Sequence, residues 1–378
     1  MRPKHPSQKT EPASFMLWFQ EILNRYGLAI GFFTIILTPT LFFGQTGPSS
    51  IELKENRELQ TFPKASLFFF QNLEKWYSDH FGGRSNLIYY GARLQMGLLG
   101  IPGHRQVVLG KDQWLFYDQQ YVVGQPRFAD YQGKARFTQA QLDRIQHHLR
   151  QTHESLKGCN IKFYFVMPPD KQTIYPEMMP FTRPTNIKTR ADQLFEMLKK
   201  APEINAIDLR QPLLEAKKKE SLPIYYKTDT HWNELGALHG VHTIINMIHQ
   251  DQNPISISIK KQDYTLTTNN YKGGDIATSL LSLPNYFSDT FVKVEKNKDS
   301  KNLQEEVIII YGDSFSEAMI PFIKGIYKNV SSYQKAQVDT RDIDKDKPNI
   351  IILEVLERLI GSLEKGPLSL PSCRHTNF

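Results

Sequence analysis

Three short apolar runs constrain the fold of this chain more than any other feature of its sequence. They read IKFYFVM from Ile161, EEVIIIYG from Glu305 and NIIILEV from Asn349. Such runs are typical of strands that are buried on both faces, as in a parallel sheet covered by helices. Because parallel strands need long crossover connections, helices must lie between them along the chain. The sequence therefore predicts an α/β fold with a doubly wound, mainly parallel sheet and flanking helices.

The segments between these runs carry the patterns that such a fold requires. We expect a β-hairpin at Val107–Asp118 and a further strand in INAIDL, which ends at Leu209. Apolar residues at helical spacing predict helices that begin at or near Thr138, Thr189, Gln211, His231 and Phe315. The run Glu295–Asn302 is charged and predicts a solvated loop. Ligands of doubly wound sheets bind at the carboxyl ends of the strands, so functional residues are expected there.

The N-terminus predicts a membrane anchor. No charged residue lies between Arg25 and Glu52, and residues 26–44 are almost wholly apolar. Their length suffices for a transmembrane helix, which needs about 17–25 residues. Basic residues dominate the preceding leader, so the positive-inside rule puts residues 1–25 in the cytoplasm and the rest of the chain outside it. We expect an uncleaved signal anchor followed by a membrane-proximal helical lead-in at 45–100; a cleaved signal peptide is the alternative.

Composition and cysteine count exclude several classes of protein. The 378 residues carry a net charge of +7 without a basic stripe, which argues against nucleic-acid binding. Two cysteines, Cys159 and Cys373, can form one disulfide but no cysteine-based metal site. His239, His242 and His249 share one predicted helix but lack the spacing of a zinc motif. We therefore predict neither a metal nor a cofactor.

Ser314 is the first candidate catalytic residue. It stands in YGDSFSE, where an apolar strand breaks at Gly312 and a helix follows. A serine in this position presents its hydroxyl at the carboxyl end of the strand, with helix N-terminal amides close by, which is the arrangement of a nucleophile elbow. The structural alternative is that Ser314, or its neighbour Ser316, only caps the helix.

Asp229 and His231 are the second candidate element, in YYKTDTHWNELGA. A serine hydroxyl becomes a good nucleophile when a base takes its proton, and a histidine base works best when a carboxylate orients it. Asp229 and His231 are two residues apart, so on an extended segment their side chains point the same way. The alternative is that Asp229 or Thr230 caps the following helix and His231 is an ordinary polar surface residue.

Taken together, the two elements resemble the SGNH-hydrolase-like enzymes of the alginate O-acetyltransferase type. The Asp-His pair precedes the serine and has the spacing D-x-H, as in that branch. Further segments similar to the family occur in the family's order: ENRELQTFP from Glu55, YSDHFGGR from Tyr77, GKDQWLFY from Gly110, PPDKQTIYPEMMP from Pro168, GGDIA from Gly273 and LEVLERL from Leu353.

The resemblance implies that residues 101–378 form an acyltransferase domain with Ser314 as nucleophile, His231 as general base and Asp229 as the orienting acid. It also implies a polysaccharide acceptor, a membrane-bound O-acyltransferase as donor partner, and a domain exposed to the periplasm from the bacterial inner membrane. No oxyanion donor beyond the Ser314 amide can be assigned. We expect no C-terminal carbohydrate-binding module such as some relatives carry, because few residues follow the last predicted strand.

Other residues near these motifs are weaker candidates. Trp232, Lys171 and Tyr175 could contact substrate, with Glu177 beside them, although a core or turn role is the alternative for each. Arg84, Glu357 and Arg358 are interpreted as structural ion pairs or caps.

The favoured function is O-acetyl transfer to hydroxyl groups of an exported or cell-surface polysaccharide through a serine acyl-enzyme. A carbohydrate acetyl esterase with the same triad is one alternative, because water can replace the sugar hydroxyl. A non-catalytic scaffold or glycan-binding subunit of an export complex is the other.

Overall fold

The computed structural model describes residues 13–41, 58–124, 126–250, 263–297 and 303–372. The chain divides into two compact units, Met1–Leu94 and Gln95–Phe378. The first contains helices α1 (Ala13–Leu41) and α2 (Phe69–His80), and helix α3 (Arg84–Leu99) runs across the boundary.

Helix α1 contains the apolar stretch that the sequence indicates. Its segment Gln20–Thr38 has a mean hydropathy of 1.2 and, by length and composition alone, could cross a membrane. The helix is longer than the predicted span, because it begins at Ala13, inside the predicted leader, and continues past Pro39 to Leu41. Its apolar side chains, such as Phe32 and Ile35, are largely exposed. An exposed apolar helix of this length fits a single-pass anchor.

The second unit is built on a five-stranded sheet in which all neighbouring strands are parallel. The strands of the described residues are β1 (Val107–Leu109), β2 (Leu115–Tyr117), β3 (Lys162–Met167), β4 (Asn205–Asp208), β5 (Tyr264–Tyr271), β6 (Asp289–Lys296), β7 (Gln304–Gly312), β8 (Tyr327–Gln334) and β9 (Ile350–Glu354). The order in the sheet is β4-β3-β9-β7-β8. The remaining strands form the antiparallel hairpins β1-β2, as predicted, and β5-β6.

Helices cover both faces of this sheet. They are α4 (Gln139–Gly158), α5 (Lys171–Ile174), α6 (Arg190–Leu198), α7 (Arg210–Lys219), α8 (Glu234–His249), α9 (Ser314–Glu317), α10 (Ile320–Lys324) and α11 (Thr340–Asp346). Side chains of β7 alternate between two apolar cores: Ile308 and Ile310 pack with α7, α8 and α10, whereas Ile309 and Tyr311 pack with α4 and α6. This alternation confirms the predicted doubly wound α/β fold.

Several helix starts follow from local capping. Thr138 caps α4, and its hydroxyl and backbone exchange hydrogen bonds with Gln141 in a capping box. Thr189 and Asp192 form the same motif at the start of α6. Each of these boxes satisfies amide donors that the first helical turn would otherwise leave unpaired, so the predicted starts at Thr138 and Thr189 are confirmed.

The structure differs from the sequence predictions at three places. Strand β8 and the hairpin β5-β6 are polar segments that the predictions did not include. The single helix predicted after Ser314 is two short helices, α9 and α10, the second with Pro321 in its first turn. The start of the predicted solvated loop, Glu295 and Lys296, belongs to β6, and residues 298–302 lie outside the described ranges.

Cys159, at the end of α4, is disulfide-bonded. The sequence analysis allowed for one disulfide in this chain. Cys373 lies outside the described residues.

Candidate active site

Ser314 lies where β7 gives way to a helix at the carboxyl edge of the sheet. The strand ends at Gly312, and Asp313 caps α9 by accepting a hydrogen bond from the Phe315 N–H at 2.9 Å. Ser314 is the first residue of α9 and is exposed. Ser316 is buried, and its hydroxyl donates to the Asp313 carbonyl at 2.7 Å. The cap is therefore Asp313, neither of the two serines.

His231 and Asp229 lie beside Ser314 on the loop that precedes α8. His231 Nε2 is 2.6 Å from Ser314 Oγ, although 83 residues separate the two. His231 Nδ1 is 2.6 Å from Asp229 Oδ1, which also accepts the His231 backbone N–H at 3.0 Å. Asn233 caps α8, so capping by Asp229 or Thr230, the structural alternative, is wrong. The three side chains form one continuous hydrogen-bonded chain.

The electrostatics of the loop favour a histidine that binds a proton readily. Burial by itself lowers the pKa of His231, but the hydrogen bond and charge of Asp229, with the charge of Asp275, raise it overall above its ordinary value. Burial works in the opposite direction for Asp229, yet the hydrogen bonds and charge of His231 bring the pKa of that carboxyl well below its usual range. Asp229 therefore stays ionised, and it stabilises the imidazolium that forms when His231 accepts a proton.

Lys171 binds the backbone of the loop that carries Asp229 and His231. Its Nζ donates to the carbonyl oxygens of Tyr226, Lys227 and Asp229 at 3.1, 2.9 and 2.6 Å. The residue is only 3% exposed, and burial lowers the pKa of Lys171 to about 8 against the raising effect of the Asp229 charge. All three ammonium hydrogens are thus used inside the protein. The expectation of a direct substrate contact is wrong for Lys171, which orders the loop that carries the base.

Asp275 is a second carboxylate beside His231, and sequence reasoning gave it no role. Its Oδ2 lies 3.7 Å from His231 Nδ1, and its backbone N–H donates to Asp229 Oδ2 at 2.9 Å. Oδ1 accepts the Thr230 N–H at 2.7 Å. A Cβ on the preceding Gly274 would overlap the Asp229 side chain, so glycine is needed there. The segment GGDIA, already noted as similar to the family, was the signal that could have identified Asp275.

A further support comes from Asp289, the first residue of β6. Its Oδ2 accepts the N–H and the hydroxyl of Thr228 at 2.9 and 2.6 Å. The Thr228 hydroxyl in turn accepts the Gly274 N–H at 2.9 Å. Asp289 is buried in a hairpin that was not predicted, and no motif in the sequence pointed to it.

Trp232 and Tyr175 lie in the interior. Trp232 is 1% exposed, and its indole N–H donates to the Phe315 carbonyl at 3.1 Å. The Tyr175 hydroxyl accepts the Ile224 N–H at 2.9 Å, and burial raises the pKa of Tyr175 to about 12. Neither ring is available to stack on a sugar, so for both residues the core role replaces the expected substrate contact. Glu177 is exposed and pairs with Lys217.

The three helical histidines have separate partners. His239 contacts Glu220 and His249 contacts the Tyr327 hydroxyl, while His242 lies beside Asn246. Among the residues that the structure describes, the group of carboxylates and histidines close enough to share a metal ion is Asp229, His231 and Asp275. These are the residues already joined by hydrogen bonds to one another and to Ser314.

Arg358 and Glu357 make the structural contacts that the sequence interpretation gave them. Arg358 Nη1 lies 2.5 Å from Asp170 Oδ1. Glu357 Oε2 accepts the Asp170 N–H at 2.8 Å and the Thr173 hydroxyl at 2.7 Å. In the N-terminal unit, Arg84 is 4.0 Å from Asp79.

Known proteins resemble this chain in sequence. It is 26% identical over 252 residues to the probable alginate O-acetylase AlgJ of Azotobacter vinelandii, an alignment that covers 66% of this chain and 60% of that protein. It is 30% identical over 138 residues to the AlgJ protein of Pseudomonas syringae, covering 36% and 31%. The chain thus spans less than two thirds of the length of these relatives.

Two solved structures also align with this chain. The O-acetyltransferase domain of Pseudomonas putida AlgJ matches with a TM-score of 0.49 at 20% identity, covering 71% of this chain and 95% of that one. Bacillus cereus PatB1 matches with a TM-score of 0.49 at 19% identity, covering 68% and 96%. Residues 107–323, more than half of the chain and the part that contains Ser314, His231 and Asp229, match the family described as SGNH hydrolase-like domain, acetyltransferase AlgX, and the chain belongs to that family.

Proposed function

We propose that this chain is an O-acetyltransferase that carries an acetyl group on Ser314 and passes it to a hydroxyl group of an exported or cell-surface polysaccharide. The observation that carries the proposal is the hydrogen-bonded chain from the exposed Ser314 hydroxyl through His231 to Asp229, with both contacts at 2.6 Å. Membership of an acetyltransferase family and the names of the AlgJ relatives support the acetyl group and the polysaccharide.

The chemistry runs in two steps on this arrangement. His231 Nε2 accepts the Ser314 proton as Oγ bonds to the donor's acetyl carbon, and the donor's leaving group departs with the proton that His231 returns to it. In the second step His231 accepts the proton of a sugar hydroxyl, whose oxygen bonds to the acetyl carbon. The bond to Ser314 Oγ breaks, and the proton returns to Ser314. Asp229 remains ionised and stabilises the imidazolium in both steps.

The donor is proposed to be a membrane-bound O-acyltransferase that delivers acetyl to the outer face of the bacterial inner membrane. The exposed apolar segment Gln20–Thr38 supports a membrane location for this chain. The disulfide at Cys159 supports an oxidising compartment such as the periplasm, because disulfides are rare in the cytoplasm. Reporter fusions placed after residue 44 test the topology: a periplasmic reporter should be active there, and activity of a cytoplasmic reporter instead would refute the arrangement.

The test of function is incubation of the full-length protein in detergent with an activated acetyl ester, with and without a panel of glycans that includes alginate. Intact-mass spectrometry should detect one acetyl group on the protein, and peptide mapping should assign it to Ser314. A suitable glycan should then gain acetyl groups while release of free acetate falls, because a bound acceptor has a high effective concentration at the acyl-enzyme. Unchanged acetate release at saturating glycan, with ready removal of acetyl from a pre-acetylated polysaccharide, would instead identify an esterase.

A further inference from the structure

Two carboxyl groups, those of the buried Glu354 and the half-buried Asp313, meet beneath the turn that presents Ser314. Glu354, the last residue of β9, is 0% exposed and lies beside Asp313 on the neighbouring strand end. Glu354 Oε2 accepts the Asp313 backbone N–H at 3.1 Å. One oxygen of each side chain, Glu354 Oε1 and Asp313 Oδ2, is buried without a hydrogen-bond partner among the described residues. The proposed transfer chemistry assigns neither residue a role.

A hydrogen bond between two carboxyl groups requires that one of them carries a proton, because ionised carboxylates only accept. In the described part of the chain no other group donates a hydrogen bond to Glu354 Oε1 or to Asp313 Oδ2. The second oxygen of Asp313 already accepts the Phe315 N–H. The positive charge of Arg358 favours the ionised form of Glu354, but the Arg358 guanidinium is hydrogen-bonded to Asp170.

The charges around Glu354 and its burial also favour the protonated form of this carboxyl group. Burial, followed by the charge of Asp313, raises the pKa of Glu354 well above its ordinary value, and the Asp313 N–H and the charge of Arg358 only partly oppose this. Two ionised carboxylates side by side would repel each other, and burial would add to the cost. One of them therefore takes up a proton.

We infer that Glu354 is a protonated carboxylic acid that donates a hydrogen bond to Asp313 and thereby positions the turn that presents Ser314. The catalytic part of this inference rests on the proposed function. Glu354 Oε2 accepts the Asp313 backbone N–H, and the proton on Glu354 would supply the partner that Asp313 Oδ2 lacks. Asp313 in turn caps α9 by accepting the Phe315 N–H. Glu354 is thus a positioning residue that acts on the nucleophile through Asp313.

Gly312 is the neighbour that lets the Glu354 carboxyl reach this turn. A Cβ at Gly312 would lie 2.5 Å from Glu354 Oε2 and 2.9 Å from Ser316 Cβ. The glycine of the GDS motif therefore makes room for the carboxyl group beneath it. Any larger residue there would force the buried acid away from Asp313.

Three substitutions of Glu354 separate the role of a neutral hydrogen-bond donor from that of a negative charge. Glu354→Gln keeps a donor for Asp313 Oδ2 and an acceptor for the Asp313 N–H, without any charge. Glu354→Leu keeps most of the volume and removes both hydrogen bonds. Glu354→Asp keeps the carboxyl group and withdraws it by one methylene.

The first experiment tests the proton itself and does not depend on activity. Infrared spectroscopy of the full-length protein near pH 7 should show the carbonyl band of a protonated carboxylic acid that disappears in Glu354→Gln. The matched control is Glu357→Gln, a second buried glutamate that is hydrogen-bonded to Asp170 and Thr173 instead. The band assigned to Glu354 should persist in that control. A wild-type spectrum without a band specific to Glu354 would overturn the inference.

The second experiment tests positioning. Glu354→Gln should keep acetyl transfer within about tenfold of wild type, because one neutral hydrogen bond replaces another. Glu354→Leu should lose about a hundredfold in transfer and in labelling of Ser314 by a sulfonyl fluoride, because a small displacement of a nucleophile is costly. Loss of activity in Glu354→Gln equal to that in Glu354→Leu, with both proteins folded by circular dichroism, would overturn the positioning role. If wild type itself transfers no acetyl group, the proposed function fails, and the infrared band and sulfonyl labelling still decide the role of Glu354.

Discussion

The two halves of the candidate site are ordered in different ways. The Ser314 turn is ordered mainly by its own segment, with Glu354 as a distant partner that accepts the Asp313 N–H. Asp313 caps α9, and the Ser316 hydroxyl donates to the Asp313 carbonyl. The loop that carries His231 has little regular structure of its own. Its conformation depends on partners that lie 45 to 61 residues away along the chain, among them Lys171, Asp275 and Asp289.

This contrast separates what a motif encodes from what the tertiary structure encodes. A strand-turn-helix segment sets the direction of a serine side chain largely by local geometry, so its position depends on few distant residues, Glu354 being the one identified above. An extended loop keeps its carbonyl oxygens and carboxylates aligned only while distant groups bind them. Distant positions whose substitution damages the site should therefore be more numerous for the His231 half than for the Ser314 half.

Ser314→Ala should have the largest effect, because it removes the nucleophile. We expect acetyl transfer to fall by about a thousandfold or more, with an unchanged thermal unfolding midpoint. The matched control is Ser316→Ala, two residues further on, which loses a buried hydrogen bond worth about 1 kcal/mol of unfolding free energy and keeps the nucleophile. Equal loss of transfer in the two variants would break the assignment of their roles.

Asp229→Asn should come next. Removing the charge that stabilises the imidazolium should lower kcat/KM by about 10²–10⁴-fold. The pH profile supplies a second readout. His231 must be neutral to accept a proton, so activity should rise with pH through a histidine pKa that is raised in wild type. Without the Asp229 charge that pKa falls, and the acid limb should shift to lower pH. An acid limb that does not move would contradict the pairing.

Lys171→Met tests the dependence of the His231 loop on a distant residue. Three carbonyl oxygens lose their donor, which should cost about 3 kcal/mol of unfolding free energy and about tenfold to a hundredfold of acetyl transfer. Denaturant unfolding and transfer kinetics measure the two effects. The control is Lys188→Met, whose ammonium pairs with Glu196 on the surface and should change stability by less than about 0.5 kcal/mol. Full activity in Lys171→Met would show that the loop is ordered without it.

Asp275→Asn should have the smallest effect. The amide can still bind Thr230 through its oxygen, so the loop keeps its shape while a charge 3.7 Å from His231 disappears. Because that charge raises the pKa of His231, the acid limb of kcat/KM should move to lower pH, with the plateau within about tenfold of wild type. A loss as large as that of Asp229→Asn would give the two carboxylates equal roles.

The core of the fold was predictable because its signal is local. Strands β3, β7 and β9 contain continuous apolar runs, which are typical of central strands that are buried on both faces of a parallel sheet. Strand β8, which reads YKNVSSYQ, lies at the sheet edge, and the hairpin β5-β6 stands outside the sheet. Edge and hairpin strands have a solvated side and tolerate polar residues, so their sequences carry no comparable pattern.

The residues of the candidate site also fall into those with a local sequence signal and those without one. Ser314, His231 and Asp229 were identifiable because motif, spacing and predicted strand ends coincide. The roles of Lys171, Asp289 and Glu354 were not, since each depends on a contact between segments that are distant in sequence. Lys171 illustrates the difficulty: a lysine after two prolines looks like a surface residue until the fold encloses its ammonium group among three carbonyl oxygens.

The position of β9 in the sheet has a consequence for how the protein folds. This strand comes after all other strands in the described chain, yet it lies between β3 and β7, with Lys162 paired to Ile350. Contacts between segments so distant form slowly, because the entropy of closing the intervening loop must be overcome first. As a nascent chain emerges from its N-terminus, β3 and β7 cannot take their final places until β9 arrives. We therefore expect the proposed acyl chemistry to begin only after β9 has joined the sheet.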